Sequence, residues 1–168
     1  MSHPLVLALF NDSATAARAA QELRGLGVPQ EHVSVVARSH DEEGALARAA
    51  GASPGSEIED SRPASRLGEL SAHLLAAVAL VLPGIGPIVA DGPLAAGLGE
   101  AAGHLAGGVA RTLERTGLPR EVAEEWETRI ERGAILIGAH VDRTSAPGVR
   151  ARLADSGAVR VAEAQWSP

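Results

Sequence analysis

Ser71-Ala-His-Leu-Leu-Ala-Ala-Val-Ala-Leu-Val-Leu82, the break Pro83-Gly84-Ile85-Gly86-Pro87, and the run from Pro93 through Gly99, Gly103 and Gly107 to Leu113 decide how this chain is read. Between Leu70 and Ala110 the only formal charges are Asp91 and Glu100. The stretch reads as a helical hairpin that must bury nearly all of its surface. One helix is expected over 64–82 and a second over 93–116. Neither crosses the break, because proline lacks a donor and glycine loosens the backbone. Gly99, Gly103 and Gly107 fall four apart and so share one helix face. Each interior glycine costs about 0.5–1 kcal/mol relative to alanine, so a row of them is expected where another helix approaches closely. Leu98, Leu105 and Val109 form the neighbouring ridge. These residues, with Pro83, Gly84, Gly86 and Pro87 at the break, are the expected packing and assembly surface. At 1.5 Å per residue each helix is about 27–36 Å long, enough to span a bilayer. Glu100, His73 and His104 inside the run, and flanks without a positive bias, favour burial against protein instead.

On either side lie two strand–helix–strand units. Leu5–Phe10 is continuously apolar and reads as a strand buried on both faces. Asn11-Asp12-Ser13 supplies a cap for a helix over 14–26, with Gly27 as its left-handed stop. The stretch 32–38 is a second, more mixed strand. At the other end, 134–141 is again an apolar strand. Pro147 sits in the first turn of a helix carrying Val149 and Leu153 inward, and 158–164 alternates like a half-exposed strand. Together they imply an α+β fold: a ferredoxin-like βαββαβ sheet with the long Gly/Ala-rich hairpin inserted between its halves. The first and third strands are expected at the centre and the second and fourth at the edges. Both flanking helices are expected on one sheet face, leaving the other apolar and open. The corresponding divisions are 1–38, a polar connector at 39–66 with a short helix over 41–50, the hairpin plus an amphipathic helix at 67–133, and 134–168, all in one folded domain. The amphipathic helix, from Pro119 to Arg132, carries Val122, Ala123, Trp126 and Ile130 as its apolar stripe.

Composition narrows the function classes. The 168 residues carry a net charge of −6, and every basic residue is arginine. Without a basic cluster there is nothing to neutralise a phosphate backbone, so nucleic acid is not an expected partner. Aromatic residues make up only 2% of the chain, too few for base-stacking platforms. The chain has no cysteine, hence no disulfide framework and no thiolate metal site, which suits the cytoplasm. The start of the chain lacks the basic and long apolar segments of a signal peptide.

Chemistry-bearing motifs are sparse. His140 with Asp142, and Asp12, stand at the ends of the two apolar strands and are the candidates for a ligand or catalytic site. The ordinary reading is a strand-end histidine and two turn-forming aspartates. His32, His40, His73, His104 and His140 show no i,i+4 histidine pair; His73 facing His104 across the hairpin is the one arrangement that suggests a metal. Gly84-Ile-Gly86 lacks the third glycine and preceding strand of a dinucleotide loop, and there is no lysine for a phosphate loop. No catalytic residue, cofactor or metal is expected. The acidic residues of the Pro119–Arg132 helix read as a solvated face with internal ion pairs.

Pro83-Gly-Ile-Gly-Pro-Ile-Val-Ala-Asp-Gly-Pro-Leu-Ala95, the Gly/Ala-rich run after it, and Gly117-Leu-Pro-Arg-Glu-Val-Ala-Glu-Glu-Trp-Glu-Thr-Arg-Ile-Glu-Arg-Gly-Ala-Ile-Leu-Ile137 resemble bacterial general stress proteins of the 17M type. The opening, Phe10-Asn-Asp-Ser-Ala onward, is similar to the start of that domain. The resemblance spans nearly the whole chain and is most specific at 83–95 and 117–138. It implies stress-linked expression and a ferredoxin-like domain with a hydrophobic insertion, and it supplies no catalytic residues. The expectation is a non-enzymatic protein that self-assembles, as a homo-oligomer, through the hairpin and the open sheet face. A membrane-inserting hairpin is the second reading, and a ligand-binding or catalytic domain using the strand ends near His140 is the third.

Overall fold

The computed structural model describes residues 2–38, 78–82, 86–101 and 108–167. The fold is mixed α/β. Its strands are β1 (His3–Phe10), β2 (Val33–Arg38), β3 (Val78–Leu82), β4 (Gly86–Asp91), β5 (Ile135–His140) and β6 (Arg160–Trp166). Its helices are α1 (Ser13–Gly25), α2 (Pro93–Ala101), α3 (Gly108–Arg115), α4 (Arg120–Glu131) and α5 (Ala146–Asp155). The strands form one sheet in the order β3-β4-β2-β5-β1-β6, and every neighbouring pair is antiparallel.

The apolar strands sit at the centre, as their composition requires. All of Leu5–Phe10 and all of β5 are buried, because successive side chains point to opposite faces and both faces are covered. Val6, Ala8, Phe10, Ile135, Ile137 and Ala139 pack under α1 and α5, against Ala16, Ala20, Leu23, Val149 and Leu153. Leu5, Leu7, Leu9, Val36 and Leu136 point the other way, onto Leu94, Leu98, Val109, Leu113, Trp126 and Ile130. That second face is therefore not open. Helices α2, α3 and α4 of the same chain cover it. Leu98 and Val109, expected to pack inside the monomer or at a subunit contact, are each 1% exposed and belong to this core. The Val122, Ala123, Trp126, Ile130 stripe of α4 packs inward as its spacing demands. Gly138 leaves room for the approach: a Cβ there would stand 3.1 Å from Leu94 Cδ1 and 3.2 Å from Leu5 Cδ1.

The helical hairpin is corrected. Val78–Leu82 and Gly86–Asp91 form a β-hairpin, paired from Val78↔Ala90 to Leu82↔Gly86. Val-Ala-Leu-Val-Leu is a five-residue apolar run bounded by Pro83-Gly84. Periodicity cannot separate such a run from a buried helix, but its shortness and valine content suit a strand. Gly86 and Pro87 consequently lie in β4 and not in a helix break. The second helix does start at Pro93, and 93–101 and 108–115 are helical. Pro83, Gly84, Gly103, Leu105, Gly107, His73, His104 and the 41–50 helix lie outside the described residues, as does the helical reading of 64–77.

A second correction concerns β2. It is not an edge, since β4 pairs along it from Val35↔Asp91 to Arg38↔Ile88. Among the described residues the edges are β6, as expected, and β3. Helix α3 is capped from a distance, with Ala110 N–H donating to Glu127 Oε2 of α4 at 2.7 Å. Burial raises the Glu127 carboxyl above its ordinary range, and that hydrogen bond acts in the opposite sense.

Candidate functional site

Three adjacent strands end together on one side of the sheet. Leu5 pairs with His140, and His3 pairs with Trp166 across β1 and β6. The end of β5 is tied to the start of β1 by Val141 N–H donating to the Pro4 carbonyl at 3.1 Å. Antiparallel register thus gathers His3, His140 and Trp166, which lie far apart in sequence. The loop after α1 and the first turn of α2 close around them. The result is a cleft of about 690 Å³ whose lining includes these three residues, Leu26, Val28, His32, Pro93, Asp142 and Ser145. Its size falls in the range of small-molecule sites.

His140 is the hub. It is 3% exposed, and both ring nitrogens are engaged. Nδ1 lies 3.1 Å from His3 Nε2, and Nε2 lies 3.0 Å from Ser34 Oγ. Ser34 is fully buried on β2, and its Oγ accepts from Leu94 N–H at 3.0 Å, satisfying one free donor in the first turn of α2. One assignment uses every buried proton. Ser34 O–H donates to His140 Nε2, so the imidazole keeps its proton on Nδ1 and donates to His3 Nε2. The Trp166 ring stands edge-on to His140, at 5.5 Å and 85°. Desolvation, reinforced by His3 and His32, lowers the His140 pKa to about 4, so the ring is neutral near pH 7.

The aspartates serve local structure. Asp142 follows the strand, and its carboxylate accepts from Thr144 N–H (2.8 Å), Thr144 Oγ1–H (2.5 Å), Ser145 N–H (2.8 Å) and Ser145 Oγ–H (3.1 Å). These bonds, the Thr144 hydroxyl foremost, hold its pKa down at about 2. Asp142 therefore lines the cleft as a fixed anion, with three donors on Oδ1 and one on Oδ2. Asp12 caps α1, accepting from Thr15 N–H at 2.8 Å, and the Thr15 bonds lower its pKa. The register puts Phe10 opposite Ile135 and Leu5 opposite His140, so Asp12 stands at the far end of the sheet. Of the expected trio, His140 and Asp142 meet in one cleft and Asp12 does not.

Sequence reasoning passed over His3, Ser34 and Trp166. Ser34 carried a signal, as the single hydroxyl in the buried run Val33-Ser-Val-Val36. His3 and Trp166 carried none, because their meeting depends on strand register. A second cavity, of about 650 Å³, lies near Asn11, Glu125, Thr128 and Arg132. Glu125 there is shared by Arg129 at 2.9 Å and Arg160 at 3.6 Å, both part-exposed contacts of small energetic worth. Among the described residues no group of three or more histidine, cysteine or carboxylate side chains is arranged to hold a metal ion, and no helix is long and apolar enough to cross a membrane. Comparison of the chain with protein-family models, with curated proteins and with solved structures finds no match.

Proposed function

We propose that this chain is a non-enzymatic small-ligand-binding protein whose site is the cleft at the His140 end of the sheet. The observation that carries this reading is a mostly apolar cleft with a buried, hydrogen-bonded imidazole network at its wall. Binding is favoured over catalysis by the state of the reactive groups. Ser34 is buried and already accepts a backbone donor, so it is not available as a nucleophile. Asp142, held at a pKa of about 2 by its four donors, is a weak base for a proton transfer. We read β1-α1-β2 and β5-α5-β6 as a ferredoxin-like βαββαβ unit extended on its β2 side by the β3–β4 hairpin; the antiparallel order β2-β5-β1-β6 supports this. The resemblance to general stress proteins is the ground for a stress-linked setting.

A thermal-shift screen of small organic compounds, run in parallel on wild type and Leu26→Arg, tests the binding reading. A ligand at one hundred times its Kd stabilises by about 2.7 kcal/mol, which is about 5–10 °C for a chain of this size. Leu26 is 45% exposed, so its replacement leaves the fold intact while blocking the cleft rim. A screen in which every active compound shifts both proteins equally would sink the assignment.

Self-association is the second reading, and one observation favours it. Among the described residues β3 pairs only with β4, so Val-Ala-Leu-Val-Leu is an uncharged sheet edge of the kind that recruits another strand. The expected result is a homo-oligomer that Leu80→Lys converts to monomer, read as mass in detergent-free buffer. A wild-type protein that is already monomeric at high concentration removes this reading.

A further inference from the structure

We propose that the cleft selects an uncharged aromatic ligand, stacked against Trp166 and hydrogen-bonded by the imidazoles of His3 and His32; this rests on the binding role inferred above. Charge comes first. Among the described residues no arginine lines the cleft, and the fixed charge they bring to it is the Asp142 carboxylate. The whole chain adds a net charge of −6. An anionic ligand therefore meets repulsion with no compensating donor pair. A cationic ligand finds a carboxylate whose charge four donors from Thr144 and Ser145 already partly offset, which weakens its pull. An uncharged molecule escapes both costs.

Ring chemistry comes second. Trp166 is half-buried, with the His140 ring set edge-on against it and His3 as its cross-strand neighbour. The His3 and His140 rings are themselves tilted by 60° at 5.3 Å. A wall built of π-systems in tilted and edge contacts favours a further flat ring beyond area burial. Pro93 and Leu26 supply apolar surface for the rest of the molecule. Leu26 is the one large exposed hydrophobic among the described residues, and it sits on the cleft rim. A ligand seated there would cover it.

Polar capacity comes third. His3 uses Nε2 toward His140, and no contact among the described residues occupies its Nδ1. The His32 imidazole has no hydrogen bond to another described residue. With His3 Nε2 accepting from His140, its Nδ1 is the donor, and the His32 ring nitrogens add a second polar contact, which fits the hydroxyl, amide or ring nitrogen of an uncharged heteroaromatic.

Two probes sharing one ring system test the class. N-phenyl-1-naphthylamine is uncharged, and 8-anilinonaphthalene-1-sulfonate carries a sulfonate on the same skeleton. The uncharged probe is expected to bind at least tenfold more tightly. In a Trp126→Phe background it should take excitation energy from Trp166. Leu26→Arg should weaken the uncharged probe at least tenfold and draw in the sulfonate, and this arm needs no change to the buried Trp126. If the sulfonate binds wild type as tightly as the uncharged probe, and Leu26→Arg still alters its binding, the ligand class is wrong and the site stands. If neither probe responds to Leu26→Arg, the cleft itself is not a binding site and both inferences fall.

Discussion

Gly92→Ala is expected to destabilise the protein by about 3–5 kcal/mol. Gly92 joins β4 to α2 with φ at +79°, a backbone region that L side chains rarely adopt. Space is the larger obstacle. A Cβ at this position would overlap the Val33 carbonyl oxygen and lie 2.7 Å from Ser34 Cα. Both obstacles are β2 backbone, which cannot move aside without breaking its pairing with β4 and β5. The tight passage lets α2 start directly over β2, where Leu94 N–H reaches Ser34 Oγ. Pushing the two apart therefore costs strain, overlap and the hydrogen bond at the start of α2 together. Gly27→Ala is the control. Its φ is +82°, yet nothing lies within 4 Å of the added methyl, so only the conformational cost of about 1 kcal/mol should appear. Urea midpoints measure both. A Gly92→Ala protein no less stable than Gly27→Ala would mean that β2 is not packed against this turn.

The second large effect is acid sensitivity from His140. Its folded pKa, about 4, lies below the ordinary value of 6.5. Between those values the unfolded chain binds the proton and the folded chain does not, so stability rises with pH across that window. Full stability is present above about 6.5 and is lost progressively down to about 4. The span of about 2.5 units corresponds to about 3 kcal/mol. Other groups act elsewhere or in the other direction. The lowered carboxyls of Asp12 and Asp142 reduce stability only below their ordinary value of 3.8. Glu127, raised by burial, favours the folded state as pH falls and offsets part of the His140 effect. His140→Gln removes the titration while keeping a polar side chain against Ser34. Denaturation midpoints at half-unit pH steps should show a slope in wild type that flattens in the variant. Equal slopes would mean that the ring is protonated without cost and is not sealed from water.

The regular parts of this fold were legible because each carried its own boundary signals. β1 and β5 are unbroken apolar runs, α1 begins at Asp12, and α4 shows a 3.6-residue stripe from Val122 to Ile130. The β3–β4 hairpin was not legible. Val78–Leu82 has neither the alternation of a half-exposed strand nor the stripe of an amphipathic helix, and so short an apolar run does not by itself separate the two. That misreading carried others with it. A hairpin taken as two helices left β2 at an edge and one sheet face bare. The cleft was half visible. His140 announced itself as a polar residue closing an apolar strand, and Asp142 as a turn former. Their partners His3, Ser34 and Trp166 sit on three other strands, and single-sequence patterns do not encode which residues stand opposite one another.

The sheet is the shared wall of two cores, and that has a consequence for how the molecule comes apart. The back of every apolar residue that holds α1 and α5 is the front of one that holds α2, α3 and α4. Lifting either helical layer bares a surface whose reverse side is still packed, so neither layer has a free-standing partner to retreat to. Such an arrangement links the fate of the two halves: what loosens one is felt through the strands by the other.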